Sequence, residues 1–290
     1  MATPVPTVAP PDPPELPEGA ERRPPWPAMF ALWGFLVGIG TTLVGAGSLA
    51  AIVVALGGET DGPLVTVVGT LVQGVCFAGT AWFFASRVAK TRLWHFGLQG
   101  ARFWPTVGWA ALGLLSFYVI TLVYGAIVQP DAKQETVEAL GGDQGTIGLI
   151  VAGTMVVAVA PVVEEFFFRG FFYRALRNRM SIAVAALIDG GLFGIIHFSG
   201  SGADGLLILP PLAILGVLFC LVYERTGTLL APIGMHAFNN AVAFAVQADN
   251  GWKVSVVVGP LFFVALVVAG RRLPRAPVSS PAGVGTVSRA

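Results

Sequence analysis

Long apolar runs separated by short polar or glycine- and proline-bearing stretches dominate this chain of 290 residues. The runs cover roughly 28–57, 63–86, 105–128, 147–170, 181–198, 206–223, 228–248 and 254–270. A helix needs about 20 apolar residues to cross a bilayer, so most of these runs predict membrane spans. The expected fold is all-α, a polytopic membrane helical bundle of about eight transmembrane helices. The fifth, sixth and eighth runs are short. The fourth is expected to continue as an amphipathic helix through FFYRALRNR, from Phe171 to Arg179. No internal repeat is evident, which disfavours an inverted-repeat transporter.

Composition agrees with that pattern. The chain is 55% hydrophobic and 11% charged, against about 25% charged in soluble domains, and its mean hydropathy is +0.76. A net charge of +1 gives no basic excess for nucleic acid. Cys76 and Cys220 lie in separate apolar runs and form neither a disulfide framework nor a CxxC metal site. The opening stretch is rich in proline and acids and has no apolar core before residue 28, unlike a signal peptide. The chain divides into a disordered Pro-rich cytoplasmic tail (1–26), accessory transmembrane helices (27–146), a transmembrane unit that carries the chemistry (147–248), a final transmembrane helix (249–273) and a second disordered tail (274–290).

Lys and Arg set the orientation. Placing both termini in the cytoplasm puts Arg22 and Arg23, then Arg87, Lys90, Arg92 and Arg102, on the inside. The inner group continues with Arg169, Arg174, Arg177, Arg179 and Arg225, and ends with Arg271, Arg272, Arg275 and Arg289. Only Lys133 and Lys253 remain outside. The expectation is a multi-pass cell-membrane protein with both ends cytoplasmic.

Within the spans, charge is rare, because a charged side chain at mid-bilayer costs about 2.5–3.5 kcal/mol on insertion scales. The exceptions cluster late: Glu164, Glu165, Arg169, Asp189, His197 and His236. Glu165 and Arg169 are four residues apart and share a helix face, whereas Glu164 points about 100° away towards a neighbour. His197 follows Phe193, and Asn240 follows His236, at the same spacing. At about 1.5 Å per residue, Glu164 lies about 21 Å from the inner end of a helix reaching Asn178, and His197 about 24 Å from Ser181. The same count puts His236 and Asn240 at about 12 and 18 Å from Thr228. Four polar groups on three helices can therefore meet in one membrane cavity, provided the fourth helix is long. Asp189 matches Arg169 in depth and is its expected structural partner. The phenylalanines at 166–168, 171 and 172 read as lipid-facing or packing surface, and Phe193 as packing beneath His197. His95 reads as an ordinary interfacial residue.

EEFFFR (Glu164 to Arg169), FGIIH (Phe193 to His197) and HAFNN (His236 to Asn240) resemble the EExxxR, FxxxH and HxxxN motifs of the CPBP family of intramembrane metalloproteases. That family groups CAAX prenyl endopeptidases with bacteriocin-processing and self-immunity (Abi) membrane proteins. The resemblance covers about 147–245, with all three motifs in order. It implies an endopeptidase acting on a lipidated or membrane-associated peptide or protein. Glu164 would activate a water with His197 as partner, and His236 and Asn240 would stabilise the oxyanion. Glu165 and Arg169 would form the buried pair that fixes the first motif. There is no HExxH. Glu164, His197 and His236 on separate helices could hold zinc with an open position, or work without any metal, and the residues leave both open. The alternative readings are a non-enzymatic self-immunity protein and a proton-coupled transporter.

Overall fold

The computed structural model describes residues 25–128, 136–198 and 202–274. Most of both expected tails, and Lys133, lie outside the described residues. Eight helices of fourteen residues or more carry the architecture: α1 Met29–Ala55, α2 Pro63–Ser86, α3 Phe103–Val128, α4 Gly145–Arg177, α5 Ile182–Ile195, α6 Leu209–Thr226, α7 Leu230–Gln247 and α8 Gly251–Arg272. No strand occurs among the described residues. Six of the helices are long and apolar enough to cross a membrane, α6 counting from Gly205. The other two are α5, which His197 follows by two residues, and α7, which bears His236 and Asn240. Helix α5 has 14 residues, about 21 Å at the usual rise, and α7 has its apolar run broken by His236, Asn239 and Asn240.

The long fourth helix that the depth argument demands is present, running 33 residues from Gly145 to Arg177. It is not uniform. π-helical turns at Met155–Val159 and Phe166–Tyr173 flank an α-helical segment, Ala160–Glu165, that carries both glutamates. Pro161 supplies no N–H to the ladder, and a wider turn just before it relieves the clash a proline ring makes inside an α-helix.

Packing against α4 decides where the aromatic residues go. Phe167, Phe168, Phe171 and Phe172 are buried in the main core, so the packing reading holds for them and the lipid-facing one does not. Helices α5 and α6 approach closely at glycines: a Cβ on Gly216 would stand 2.8 Å from Gly190 Cα and 3.0 Å from Arg169 Nη2. Small residues let membrane helices meet backbone to backbone, and here they bring the Gly216 carbonyl within reach of a buried guanidinium.

Two expectations need correction. Trp26, assigned to the first tail, is buried against Phe96 and Phe171. His95 is also buried, in the 3₁₀ turn Leu93–Phe96, where its carbonyl accepts from Arg174. The indole and the turn fill one recess beside α4, so the apolar ring surface that the sequence leaves in a loop is covered by protein.

Candidate active site

The polar residues predicted to converge do so in two layers. The lower layer is sealed: Glu165, Arg169 and Asp189 are each 0% exposed. Arg169 Nη1 donates to Glu165 Oε1 at 3.0 Å and Nη2 to the Gly216 carbonyl at 3.0 Å. Its Nε faces Asp189 Oδ1 at 3.3 Å as an ion pair whose angle falls short of a hydrogen bond. Asp189 thus occupies the partner position predicted for it. The Cys220 thiol also donates to Asp189 Oδ1, at 3.2 Å. Opposite charge on either side of the guanidinium offsets a desolvation cost that would otherwise be prohibitive. The rings of Phe193 and Phe219 bracket the guanidinium at 4.5 and 4.9 Å, placing cation–π contacts where water is absent.

The upper layer faces a cavity. Glu164 Oε2 stands 3.9 Å from His197 Nε2 and 3.9 Å from His236 Nε2, so the carboxylate is shared between the two histidines. Each ring is fixed from behind. His197 Nδ1 donates to the Phe193 carbonyl at 2.7 Å, and His236 Nδ1 to Glu165 Oε1 at 2.9 Å. With Nδ1 carrying the proton, Nε2 of each neutral ring is a bare acceptor aimed at the cavity. Phe219 stacks on His236 at 4.9 Å and Phe193 packs on His197 at 4.7 Å. Phe193 therefore supplies packing, as predicted, and also the carbonyl that selects the tautomer.

Glu165 does more than the sequence assigns it. Its Oε1 serves Arg169 and His236 together, so one oxygen links the structural pair to the site. Asn240 also has a contact that spacing does not give: its Nδ2 donates to the Val156 carbonyl at 2.9 Å, tying α7 to the π-helical turn of α4. It still lines the cavity, beside Asn239, which the sequence reading passes over although it is the neighbouring asparagine of HAFNN. Phe219 is a second omission, and no periodicity marks it among the apolar residues of α6.

The cavity has a volume of about 360 Å³. Its floor is Glu164, His197 and His236, and its walls include Phe117, Val156, Leu212 and Leu215. A larger cavity of about 550 Å³ lies between α3, α7 and α8, but Arg271 is its one charged lining residue and of the motif stretches only Phe238 reaches it. Polar motif residues line the smaller one. There, three acceptor atoms surround one gap. Glu164 Oε2 is shielded from solvent with no hydrogen-bond partner among the described residues, a cost that a shared donor would remove.

Two imidazole nitrogens and a carboxylate oxygen, the imidazoles oriented by groups on their far side, fit a divalent metal in kind. Ligands of a tetrahedral zinc at its usual bond lengths stand about 3.4 Å apart, so separations of 3.9 Å are about half an ångström too wide. Among the described residues, no three His, Cys, Asp or Glu side chains are gathered closely enough to hold a metal as they stand.

Comparison with known proteins reaches the same segment. Residues 146–242 match the family "Type II CAAX prenyl endopeptidase Rce1-like". The resemblance carried by the three motifs is thereby found independently. Two Bacillus subtilis (strain 168) proteins are similar over part of their length. "Uncharacterized protein YyaK" is 33% identical over 97 residues, 32% of this chain and 32% of the relative. "Putative membrane peptidase YdiL" is 29% identical over 112 residues, 36% of this chain and 43% of the relative. The chain therefore aligns with less than half the length of either relative. No solved structure matches it.

Proposed function

We propose, taking the Rce1-like match and this geometry together as premises, that the chain is an intramembrane endopeptidase that hydrolyses a peptide bond in a lipidated or membrane-associated polypeptide. One observation carries the reading. Glu164 Oε2 lies at 3.9 Å from the Nε2 of both His197 and His236, with both rings anchored through Nδ1. A water in that gap can donate to Glu164 and to one imidazole while its oxygen faces the cavity.

Glu164 takes a proton from the water as its oxygen bonds to the scissile carbonyl carbon, with His197 Nε2 fixing the water's second hydrogen. The negative charge passes to the carbonyl oxygen. His236 takes up a proton from solvent at Nε2 as substrate enters and donates it as a hydrogen bond to that oxyanion while Glu165 holds Nδ1, and Asn240 offers the amide hydrogen not committed to Val156. The C–N bond breaks as the proton on Glu164 moves to the leaving nitrogen. Glu164, His197 and His236 would hold a divalent metal if one binds, and it would lower the pKa of the bound water and polarise the carbonyl. No observation favours a transporter or a non-enzymatic immunity protein over this reading.

The test is cleavage by purified protein in detergent, comparing wild type with Glu164→Gln and His197→Ala on a prenylated peptide and a panel of membrane proteins. Thermal unfolding establishes first that the variants are folded. Loss of cleavage by 10² or more in both folded variants is the expected result. Equal cleavage by a folded Glu164→Gln would sink the assignment.

A further inference from the structure

We infer that the cleavage cavity is entered from the non-cytoplasmic side of the membrane, so that the substrate is a polypeptide segment presented at that face. The inference rests on the proposed proteolytic function and on two independent features, the ends of the cavity and the distribution of charge.

Among the described residues the cavity is closed at one end, and at the other its lining reaches exposed residues. Below Glu164 lies the fully buried layer of Glu165, Arg169, Asp189 and Phe219. Beneath that, the segment 93–100 folds into the bundle as a cap. Tyr223 OH donates to the Phe96 carbonyl at 3.0 Å, Leu229 N–H to the Gly97 carbonyl at 2.8 Å, and Thr228 Oγ1 to the Gln99 carbonyl at 2.9 Å. Gln99 Nε2 returns a bond to the Gly227 carbonyl at 2.6 Å. Gly97 sits at φ 90°, and a Cβ there would lie 2.4 Å from Tyr223 Oη, so this turn requires glycine. Phe96 packs on Phe166, in the turn of α4 that follows Glu165. In the opposite direction the lining runs from Glu164 past Asn239 and Asn240 to Thr136 and Gln247, both exposed. Those residues stand where α4 and α8 begin and where α5 and α7 end.

Charge says which end is which. The capped end carries Arg87, Lys90, Arg102, Arg179, Arg225 and Arg272, while Lys253 is the one described lysine or arginine at the open end. Lysine and arginine next to spans are retained in the cytoplasm. The capped end is therefore inside and the mouth of the cavity outside. A substrate confined to the cytoplasm, such as a soluble protein held to the inner leaflet by its C-terminus, would meet the sealed face.

Single cysteines at Gln247 and Thr136, at the mouth, and at Lys90, on the basic face, test this without any substrate. Intact cells and inverted membrane vesicles are treated with a membrane-impermeant maleimide, and labelling of the parent protein, which has Cys76 and Cys220, is subtracted. The expected result is labelling of Gln247→Cys and Thr136→Cys in intact cells only, and of Lys90→Cys in inverted vesicles only. Labelling of the mouth cysteines from the inside, from both sides or from neither overturns the inference. Because this readout needs no catalysis, an inactive protein with outward labelling would count against the proteolytic reading alone.

Discussion

Substituting the two neighbouring glutamates separately should divide stability from chemistry, and Glu165→Gln is the sharper case. The substitution keeps the shape and removes the charge. In the wild type Glu165 Oε1 accepts from Arg169 at 3.0 Å and from His236 at 2.9 Å, both without solvent. Hydrogen bonds to charged groups contribute about 1.5–3 kcal/mol and neutral ones about 0.5–1.5. Losing charge assistance on two bonds should therefore cost about 2–3 kcal/mol in all. Arg169 keeps Asp189 and the Gly216 carbonyl, so the loss stays below the ~3–5 kcal/mol typical when a buried charge loses its partner outright. At ~2–4 °C per kcal/mol for a chain of this size, the unfolding midpoint in detergent should fall by about 4–12 °C.

Glu164→Gln should behave in the opposite way. Its side chain is 27% exposed, and its Oε2 lies 3.9 Å from each imidazole without a hydrogen bond among the described residues. The midpoint should stay within about 2 °C of wild type while cleavage falls by 10² or more. Thermal unfolding followed by a thiol-reactive dye in detergent, paired with peptide cleavage, measures both. If Glu165→Gln leaves the midpoint unmoved, or Glu164→Gln lowers it equally, then the two-layer description of the site is wrong.

Other substitutions probe the supports. Asn240→Ala removes one interhelical hydrogen bond, worth about 0.6 kcal/mol on average in a membrane, so stability should barely change. Cleavage should nevertheless fall by about 10²–10³ if the free amide hydrogen serves the oxyanion, and activity that merely tracks the unfolding midpoint would reduce Asn240 to a strut. Gly216→Val should separate α5 from α6 by overpacking, at a cost of about 1–3 kcal/mol or more, read as a lowered midpoint or aggregation in size-exclusion chromatography. Gly97→Ala should destabilise by about 1–2 kcal/mol from its positive φ alone, and an unchanged midpoint would show that the cap does not hold the bundle.

Charge inside apolar runs made the site legible in sequence. Glu164, Glu165, Arg169, Asp189, His197 and His236 stand out because each is expensive in lipid, and helical spacing then sorts them within a helix. Spacing cannot say which residue on one helix meets which on another. The contact between Glu165 and His236, 71 positions apart, was invisible for that reason, as was the sharing of Glu164 between two histidines. The bond from Asn240 was invisible because its partner is a backbone carbonyl in a π-helical turn, and every residue has a carbonyl. His95 and Trp26 were placed in a loop and a tail for a related reason. The cap is held largely by main-chain acceptors, and the ring surface it buries looks no different in sequence from an interfacial aromatic.

The last question that spacing can address is what occupies the gap among Glu164, His197 and His236. Three bare acceptors need a donor, and water or a metal ion would serve. A tetrahedral zinc asks for ligand atoms about 3.4 Å apart, whereas here Oε2 lies 3.9 Å from each nitrogen. His236 is held back by Glu165 and by its stack on Phe219, and His197 by the Phe193 carbonyl, so drawing the ligands together would strain contacts already made. A water, with donor–acceptor distances near 2.8 Å, bridges acceptors 3.9 Å apart without moving either ring. Cleavage should therefore survive dialysis against a strong chelator with less than about a threefold loss, and added zinc should compete for the acceptor atoms and inhibit. Loss of activity on chelation with recovery at stoichiometric zinc would reverse the conclusion, and would mean that the floor of the cavity contracts around the ion.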